Sequence, residues 1–251
     1  MNSPTLNPHP SPNPAFGPIV ESKQGIANWS KAAAWGVLAA AATSGGLIAN
    51  SGCTAIGFAA ESYQRNSTHE IKAQYEGLKD KTFAVVVTAD RMIEADHPGL
   101  VDRLASKITE KLSDNKNLPR PAGFVPTKSV LRYLYDNPSW PAKPLGDLAK
   151  GLGGVDRLVY IEITEYRLND PGNAYEWDGV ASGTVAILET DSSTPDEYAF
   201  DKVVSVKYPD QKGVGPSQMT LSGVSSVLSV RFIDRVSWLF YDHQEAYYPE
   251  Y

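Results

Sequence analysis

The densest group of titratable side chains in this sequence lies in a short loop after a run of apolar residues. It comprises three carboxylates and one imidazole, those of Asp90, Glu94, Asp96 and His97. Ligands of α/β proteins often bind at the carboxyl ends of core strands, where this loop is expected, and these side chains could hold a metal ion or a small molecule there. The same residue types also cap helices and occupy solvated loops. The sequence therefore leaves a ligand site and a capping loop as alternatives.

The other polar patterns do not form a recognisable catalytic arrangement. The four histidines are scattered, without HExxH or comparable ligand spacing: His9, His69, His97 and His243. Because side chains alternate along a strand, Glu162 and Glu165 are predicted to lie on opposite faces and cannot act as the paired acid and base of a glycosidase. The glycines of 151–154 lack the preceding strand of a dinucleotide loop and predict a helix end. GxSxG and phosphate-loop patterns are absent from the sequence. We predict no catalytic residue, no metal ligand and no cofactor.

Two strand-like runs within 155–188 are the elements around which the rest must pack. A turn-forming cluster at 169–173 separates them, which is typical of a β-hairpin with a longer loop. Alternate apolar residues over 159–163 form one face that helices must cover. In the second run, Gly179 and Gly183 suggest a β-bulge or a close backbone approach.

Hydrophobic periodicity predicts the remaining elements. Ser67 and Glu70 have the spacing of a capping box, which predicts a short amphipathic helix through Ile71, Tyr75 and Leu78. The sequence also predicts a doubly covered strand over 82–88, an edge strand over 123–126, a strand over 197–208, and helices over 99–115, 129–135, 145–151 and 221–243. The predicted fold class is α/β, with helices packed on a four- to five-stranded mixed sheet.

The amino-terminal region has a different composition. Residues 1–31 are rich in Pro and Asn and are predicted to be disordered, because they cannot bury enough apolar surface to offset the entropy of ordering. Residues 32–53 follow two lysines and are apolar and then small, which is the pattern of an export signal. Residues 54–66 are predicted to form a tether, 67–245 an α/β domain, and 246–251 an aromatic tail.

The export segment ends in Ser51-Gly52-Cys53, and this ending resembles the lipobox of bacterial lipoprotein precursors, although Asn50 stands where Leu is usual. The resemblance implies that Cys53 carries lipid and becomes the mature amino terminus. An uncleaved membrane anchor and a chance apolar segment are the alternatives. Cys53 is the single cysteine of the chain, which excludes an internal disulfide and a cysteine-rich metal site.

The last 14 residues are rich in aromatic side chains: Trp238, Phe240, Tyr241, Tyr247, Tyr248 and Tyr251. Trp and Tyr are enriched in binding hot spots. Trp238 and Phe240 are expected to fill the core beneath the sheet. Tyr247, Tyr248 and Tyr251 lie beyond the predicted helix and are the candidates for partner contact.

The stretch from Leu148 to Tyr166 has the order helix, glycine, aspartate, apolar strand and short polar end. On this stretch and the strands after it, the domain from about Lys81 to His243 resembles a bacterial envelope superfamily. That superfamily contains the amino-terminal domain of the translocation protein TolB, the lipoprotein activators of penicillin-binding proteins, and the curli-secretion lipoprotein. The resemblance implies a mixed α/β domain that binds envelope proteins without catalysis. The curli member is a pore built from long hairpins, and the short linkers at 168–175 and 189–197 argue against a pore here.

The charge of the chain narrows the class of partner. A net charge of -6 without a Lys/Arg cluster excludes a general nucleic-acid binder. The predicted function is that of a lipid-anchored envelope protein at the outer membrane, facing the periplasm, that binds envelope proteins or itself. The alternative is an envelope hydrolase or small-ligand-binding protein that uses the Asp90–His97 loop.

Overall fold

The structure of the domain is a computed structural model that describes residues 68–114 and 120–246. The strands are β1 (Thr68–Ile71), β2 (Thr82–Ala89), β3 (Gly123–Phe124), β4 (Arg157–Arg167), β5 (Gly179–Glu189), β6 (Tyr198–Tyr208) and β7 (His243–Ala246). The helices are α1 (Arg91–Asp96), α2 (Leu100–Asp114), α3 (Thr127–Asp136), α4 (Leu145–Gly151) and α5 (Leu221–Ser237), with a 3-10 turn over Trp140–Ala142. The export segment with Cys53, and Tyr247, Tyr248 and Tyr251, lie outside the described residues. Within the described ranges, none of the helices combines the length and apolar character needed to cross a bilayer.

Five strands form a mixed sheet in the order β3-β2-β4-β5-β6, which confirms the predicted fold class. The β2 strand pairs parallel to β3 and to β4, whereas β4, β5 and β6 form an antiparallel meander. The predicted edge strand over 123–126 is confirmed as the two-residue β3 at one edge of the sheet. A separate two-stranded sheet joins β1 to β7.

Helices cover both faces of the five-stranded sheet, because its first core strand is apolar on both sides. Phe83, Val85 and Val87 of β2 belong to the larger apolar cluster, and Ala84 and Val86 belong to the smaller one. The larger cluster is closed by α2 and α5, and the smaller one by α3 and α4. The alternate apolar residues 159–163 face the larger cluster together with α5, as the sequence predicts.

A β-bulge in β4 lies opposite one of the two strand glycines. Ile163 pairs with Gly183 and Glu165 with Ser182, so Thr164 is the extra residue. A Cβ atom on Gly183 would lie 2.6 Å from the carbonyl oxygen of Glu162, which explains why this position needs glycine. The sequence predicted a bulge or a close backbone approach at these glycines, and both are found at Gly183.

The bulge overturns one prediction about β4. Glu162 pairs with Thr184 and Glu165 with Ser182, and these two partners share one face of β5. Glu162 and Glu165 therefore lie on the same outer face, because the extra residue reverses the alternation after Ile163. On this face Glu165 makes a 2.8 Å ion pair with Arg167.

The predicted amphipathic helix after Ser67 is wrong. Thr68–Ile71 forms β1, which pairs antiparallel with His243–Ala246, far along the chain. The backbone then runs irregularly, with the N–H groups of Gln74 and Tyr75 both donating to the carbonyl of Leu239 at 2.9 Å. Long-range pairing has replaced the local helix, although Tyr75 and Leu78 are buried in the core as their spacing suggested.

The closing helix is shorter than predicted. It ends at Ser237 rather than near His243, and the next residues turn back so that Leu239 and Phe240 enter the core. Phe240 is buried and Trp238 is half-buried against the larger cluster, which agrees with their predicted core role. The helix end predicted at 151–154 is confirmed, with Gly153 and Gly154 at φ of 97° and 70° after α4.

Candidate functional site

The four titratable side chains of the 90–97 loop do not converge on one point. The carboxylate of Asp90 caps α1 by accepting the N–H of Met92 at 2.8 Å, and Glu94 is exposed on that helix. Within 68–114 and 120–246, no three His, Cys, Asp or Glu side chains are placed to hold a metal ion. The loop therefore has the geometry of helix capping, which was the simpler of the two alternatives.

Asp96 and His97 lie instead at one end of a groove between α2 and α5. The groove has a volume of about 850 Å³ and runs along both helices as far as Asp114 and Asp234. Apolar side chains of α5, including Val230 and Ile233, line it beside several serines of the same helix. Both signs of charge lie along its α2 side, so the groove carries no strong preference for an anion or a cation.

A polar cluster closes the end of the groove near His97. The Tyr166 hydroxyl lies 3.1 Å from the carbonyl oxygen of Ser225 and 3.0 Å from the hydroxyl oxygens of both Ser225 and Ser229. The His97 ring packs edge-on against Tyr166 with 4.7 Å between the ring centroids. Burial lowers the pKa of His97, and the nearby Arg103 lowers it further, against the opposing effect of Asp96. His97 is thus held largely neutral at neutral pH and packs against the core edge.

A buried arginine network at the opposite end of β4 was not anticipated from the sequence. Arg157 donates from Nε to the carbonyl of Gly77 at 3.1 Å and from Nη1 to that of Asp156 at 2.8 Å. Its guanidinium also makes an ion pair with Asp191 and lies 3.6 Å from a carboxylate oxygen of Glu189. Arg157 therefore ties the irregular segment that contains Gly77 to the sheet.

The neighbours of Arg157 have pKa values that reflect these bonds. The bonds from Lys81 and then Arg157 lower the pKa of Asp191 to about 2. The backbone N–H and hydroxyl of Thr82, both 2.8 Å away, lower the pKa of Asp156. Burial raises the pKa of Tyr75, whose hydroxyl also donates to Glu189 at 2.8 Å. The clue in the sequence was an arginine at the first position of a buried strand, where a charge requires partners.

A second charged cluster lies where α5 meets β7. Arg235 makes a 2.6 Å ion pair with the buried Glu245, and its guanidinium lies 5.3 Å from the centroid of the Trp238 ring. The His243 ring stacks on Trp238 at 4.6 Å with an interplanar angle of 10°. These contacts fix the two-stranded sheet to the end of α5, so the cluster has a structural role.

Comparisons with known proteins yielded structures but no sequence relatives. No family model and no curated protein matches this sequence. A PelC dodecamer from Paraburkholderia phytofirmans is 11% identical, with a TM-score of 0.40 over 70% of this chain and 98% of that one. Lipoprotein GNA1162 from Neisseria meningitidis is 14% identical, with a TM-score of 0.39 over 62% of this chain and 97% of that one. The LpoB C-terminal domain from Salmonella enterica is 10% identical, with a TM-score of 0.30 over 59% and 90%. At these values, function has to be argued from the residues of this chain itself.

Proposed function

We propose that this chain is a lipid-anchored bacterial envelope protein whose α/β domain binds other proteins without catalysis, on the periplasmic side of the outer membrane. The observation that carries the proposal is Ser51-Gly52-Cys53 at the end of a lysine-preceded apolar run, shortly before a folded domain that starts at Thr68. Acylation of Cys53 would hold that domain at a membrane surface.

The bonding of the titratable side chains supports a role without turnover. Asp90 caps a helix, Asp156 binds Thr82, and Arg157 binds backbone carbonyls and acidic partners. The hydroxyls of Ser225 and Ser229 contact Tyr166 rather than forming the base-activated nucleophile that covalent catalysis requires. Each of these groups is used to hold the fold together.

Lipidation is tested by labelling cells with an alkyne fatty acid and measuring label on the protein. We expect the native chain to be labelled and to fractionate with membranes, and Cys53→Ser to lose the label and its membrane association. Asn50→Leu is the matched control, because it brings the box closer to the usual lipoprotein pattern and should preserve labelling. Unlabelled native chain that remains in the membrane fraction with its leader attached would favour the uncleaved anchor instead.

The groove supports a second candidate function, the binding of a small molecule beside Asp96 and His97. Asp96→Ala and His97→Ala test it, with Asp136→Ala on the exposed part of α3 as control. Loss of a measurable activity or of metal binding in the first two variants, with an unchanged melting temperature, would overturn the non-catalytic proposal. Under the proposal, all three variants keep the binding of protein partners.

The aromatic tail is the proposed partner contact. Deleting Tyr247–Tyr251 is expected to weaken affinity capture of envelope proteins by the lipidated chain, with an unchanged melting temperature. Equal capture with and without these residues would remove them from the proposal and leave the contact to the folded domain.

A further inference from the structure

The outer edge of the five-stranded sheet is a long strand that pairs with another strand on one side only. On its open side, residues 202–205 line a cavity of about 230 Å³ that also contacts β1, β7 and the end of α5. Within the described residues, β6 pairs with β5 and with no other strand, and it runs for 11 residues, from Tyr198 to Tyr208. The side chains of Val204 and Val206 face the core, whereas Val203, which precedes Val204, is 67% exposed on the other face. An exposed apolar residue in the middle of such an edge favours pairing with another strand.

The backbone groups of alternate β6 residues point away from β5. The carbonyl of Tyr208 points at Gly179 of β5, since a Cβ atom on that glycine would lie 2.6 Å from the carbonyl oxygen. The carbonyl of Lys207 instead accepts from Nη1 of Arg231, a residue of α5, at 2.7 Å. Because backbone direction alternates along a strand, residues 201, 203 and 205 present their N–H and C=O groups to the open side. Lys207 points the same way, but its carbonyl is already bound by Arg231.

The charges on this outer face are symmetrical about Val204. Asp201 lies three residues before Val204 and Lys207 lies three residues after it, and both are exposed. Neither side chain forms an ion pair within 68–114 or 120–246, although many other charged side chains there are paired. An antiparallel copy of the same strand, centred at Val204, would place a lysine opposite each aspartate.

We propose that two copies of this chain pair through their β6 strands, antiparallel and about a two-fold axis at Val204. In this register Val203 lies opposite Ser205 of the partner subunit, and Asp201 lies opposite Lys207 of the partner subunit. The Val203–Ser205 pair joins residues whose backbone groups point outward, so it is a hydrogen-bonded pair of the new ladder. At the Asp201–Lys207 pair the carbonyl of Lys207 already accepts from Arg231, so this pair contributes its opposite charges. The contact uses the same surface on both copies, so each copy covers the exposed edge of the other and no third copy can add.

The charge pattern selects this register over its neighbours. A ladder centred one residue earlier, at Val203, would place Asp201 opposite Ser205 of the partner subunit and leave both charges without an opposite charge across the ladder. Opposite charges directly across a ladder stabilise it and like charges destabilise it. This inference deepens the protein-binding role proposed above by naming a second copy of the chain as a partner, and it rests on that role.

Disulfide formation in the purified full chain in detergent tests the register. Directly opposed residues of a hydrogen-bonded pair have Cα atoms about 5.5 Å apart, which suits a disulfide. The double variant V203C/S205C should therefore form an interchain disulfide under mild oxidation. The single variants V203C and S205C should not, since like positions are offset by two residues along the strands and lie more than about 7 Å apart. Both positions are exposed, so neither variant is expected to perturb folding.

Two outcomes of this disulfide experiment would overturn the proposal. Cross-linking of V203C alone would place the axis at Val203, and an uncross-linked double variant would show that the strands do not pair. The two single variants also report any disulfide made through Cys53, because such a disulfide would appear in both of them.

Charge reversal tests the same contact without cysteines. Asp201→Lys and Lys207→Asp each place like charges across the ladder at two symmetric sites, and each should weaken dimerisation about tenfold. Asp201→Lys combined with Lys207→Asp should restore it to within about twofold, as measured by sedimentation in detergent. Variants that stay as dimeric as the native chain, or a combination without rescue, would overturn the proposed pairing.

Failure of this inference is distinguishable from failure of the proposed function. A chain that is lipidated and captures envelope proteins but shows no cross-link between positions 203 and 205 would refute the edge pairing alone. A chain that lacks lipid but forms the cross-link would refute the anchor and leave the pairing in place.

Discussion

Arg157 is the residue whose environment departs most from an ordinary surface charge. It is buried at the start of β4 and contacts Gly77, Asp156, Glu189 and Asp191. A buried charge stabilises a fold only when hydrogen bonds satisfy its donors, and here two backbone carbonyls and two carboxylates do so. The segment before β2 has no regular secondary structure, and this network holds it against the sheet.

Asp191 makes this network dependent on pH. Its pKa of about 2 in the folded chain lies below the ordinary value of an aspartate, so its bonds stabilise the fold above about pH 4 and are lost as the pH falls through 2. Because the side chain is 38% exposed, we expect a contribution of only about 1 kcal/mol.

Urea unfolding of the native chain and of Asp191→Asn, between pH 7 and pH 2, measures this contribution. The difference in unfolding free energy between the two should shrink as the pH falls from 4 to 2. Asp136→Asn is the control, because its 3.6 Å ion pair with Arg132 is exposed and should contribute little at any pH. A difference for Asp191→Asn that stays constant across this range would contradict the assignment.

Gly183 is required by the backbone of the neighbouring strand. An alanine Cβ would lie 2.6 Å from the carbonyl oxygen of Glu162 and 3.3 Å from the Phe232 ring. We expect Gly183→Ala to lower the unfolding free energy by about 1 to 3 kcal/mol, since both neighbours are fixed in the core.

Gly123→Ala is the matched control for Gly183→Ala. Its nearest neighbour would be a Thr82 methyl carbon 3.9 Å away, and we expect a change within about 0.5 kcal/mol. Equal effects of the two substitutions in thermal or denaturant unfolding would contradict the packing around the bulge.

At the scale of the elements, α5 completes the larger apolar cluster. Phe232 is fully buried beneath the sheet, whereas Val230 on the same helix is 52% exposed. Phe232→Ala should lower the unfolding free energy by about 3 to 5 kcal/mol, and Val230→Ala by less than about 1. The two variants differ in burial on one helix, so comparable losses in chemical denaturation would show that α5 does not pack as described.

The strands were more predictable than the ends of the helices. The runs that became β2, β4, β5 and β6 are long and apolar on at least one face, so their periodicity is strong. The capping-box spacing at Ser67 and Glu70 is a local pattern, and pairing of Thr68–Ile71 with β7 outweighed it. Such pairing between distant segments leaves no mark in either segment that identifies the partner.

At the scale of the whole molecule, both apolar clusters depend on elements from distant parts of the chain. The larger one combines Phe83 of β2 with Phe232 of α5, which lie about 150 residues apart in sequence. Truncation before Leu221 should therefore abolish cooperative unfolding, as measured by circular dichroism or calorimetry. A truncated chain with an intact two-state transition would refute this architecture.

The sequence predicted the candidate site less well than it predicted the sheet. Asp90 serves as a helix cap, which was one of the two interpretations of its loop. The groove beside His97 depends on how far apart α2 and α5 pack, and the face on which Glu165 lies depends on a single extra residue. These features arise from relative positions in space, which hydrophobic periodicity does not encode.

The pairing of β1 with β7 brings the first and last described residues of the domain side by side. Thr68 lies opposite Ala246, so the polypeptide enters and leaves the domain at one place on its surface. Fourteen residues lie between Cys53 and Thr68, which gives a maximum reach of roughly 50 Å. If Cys53 carries lipid, the length of this segment sets the maximum distance between the domain and the bilayer. Because Thr68 and Ala246 are neighbours, a partner that binds beside Ala246 would also lie beside the point where the segment from Cys53 joins the domain.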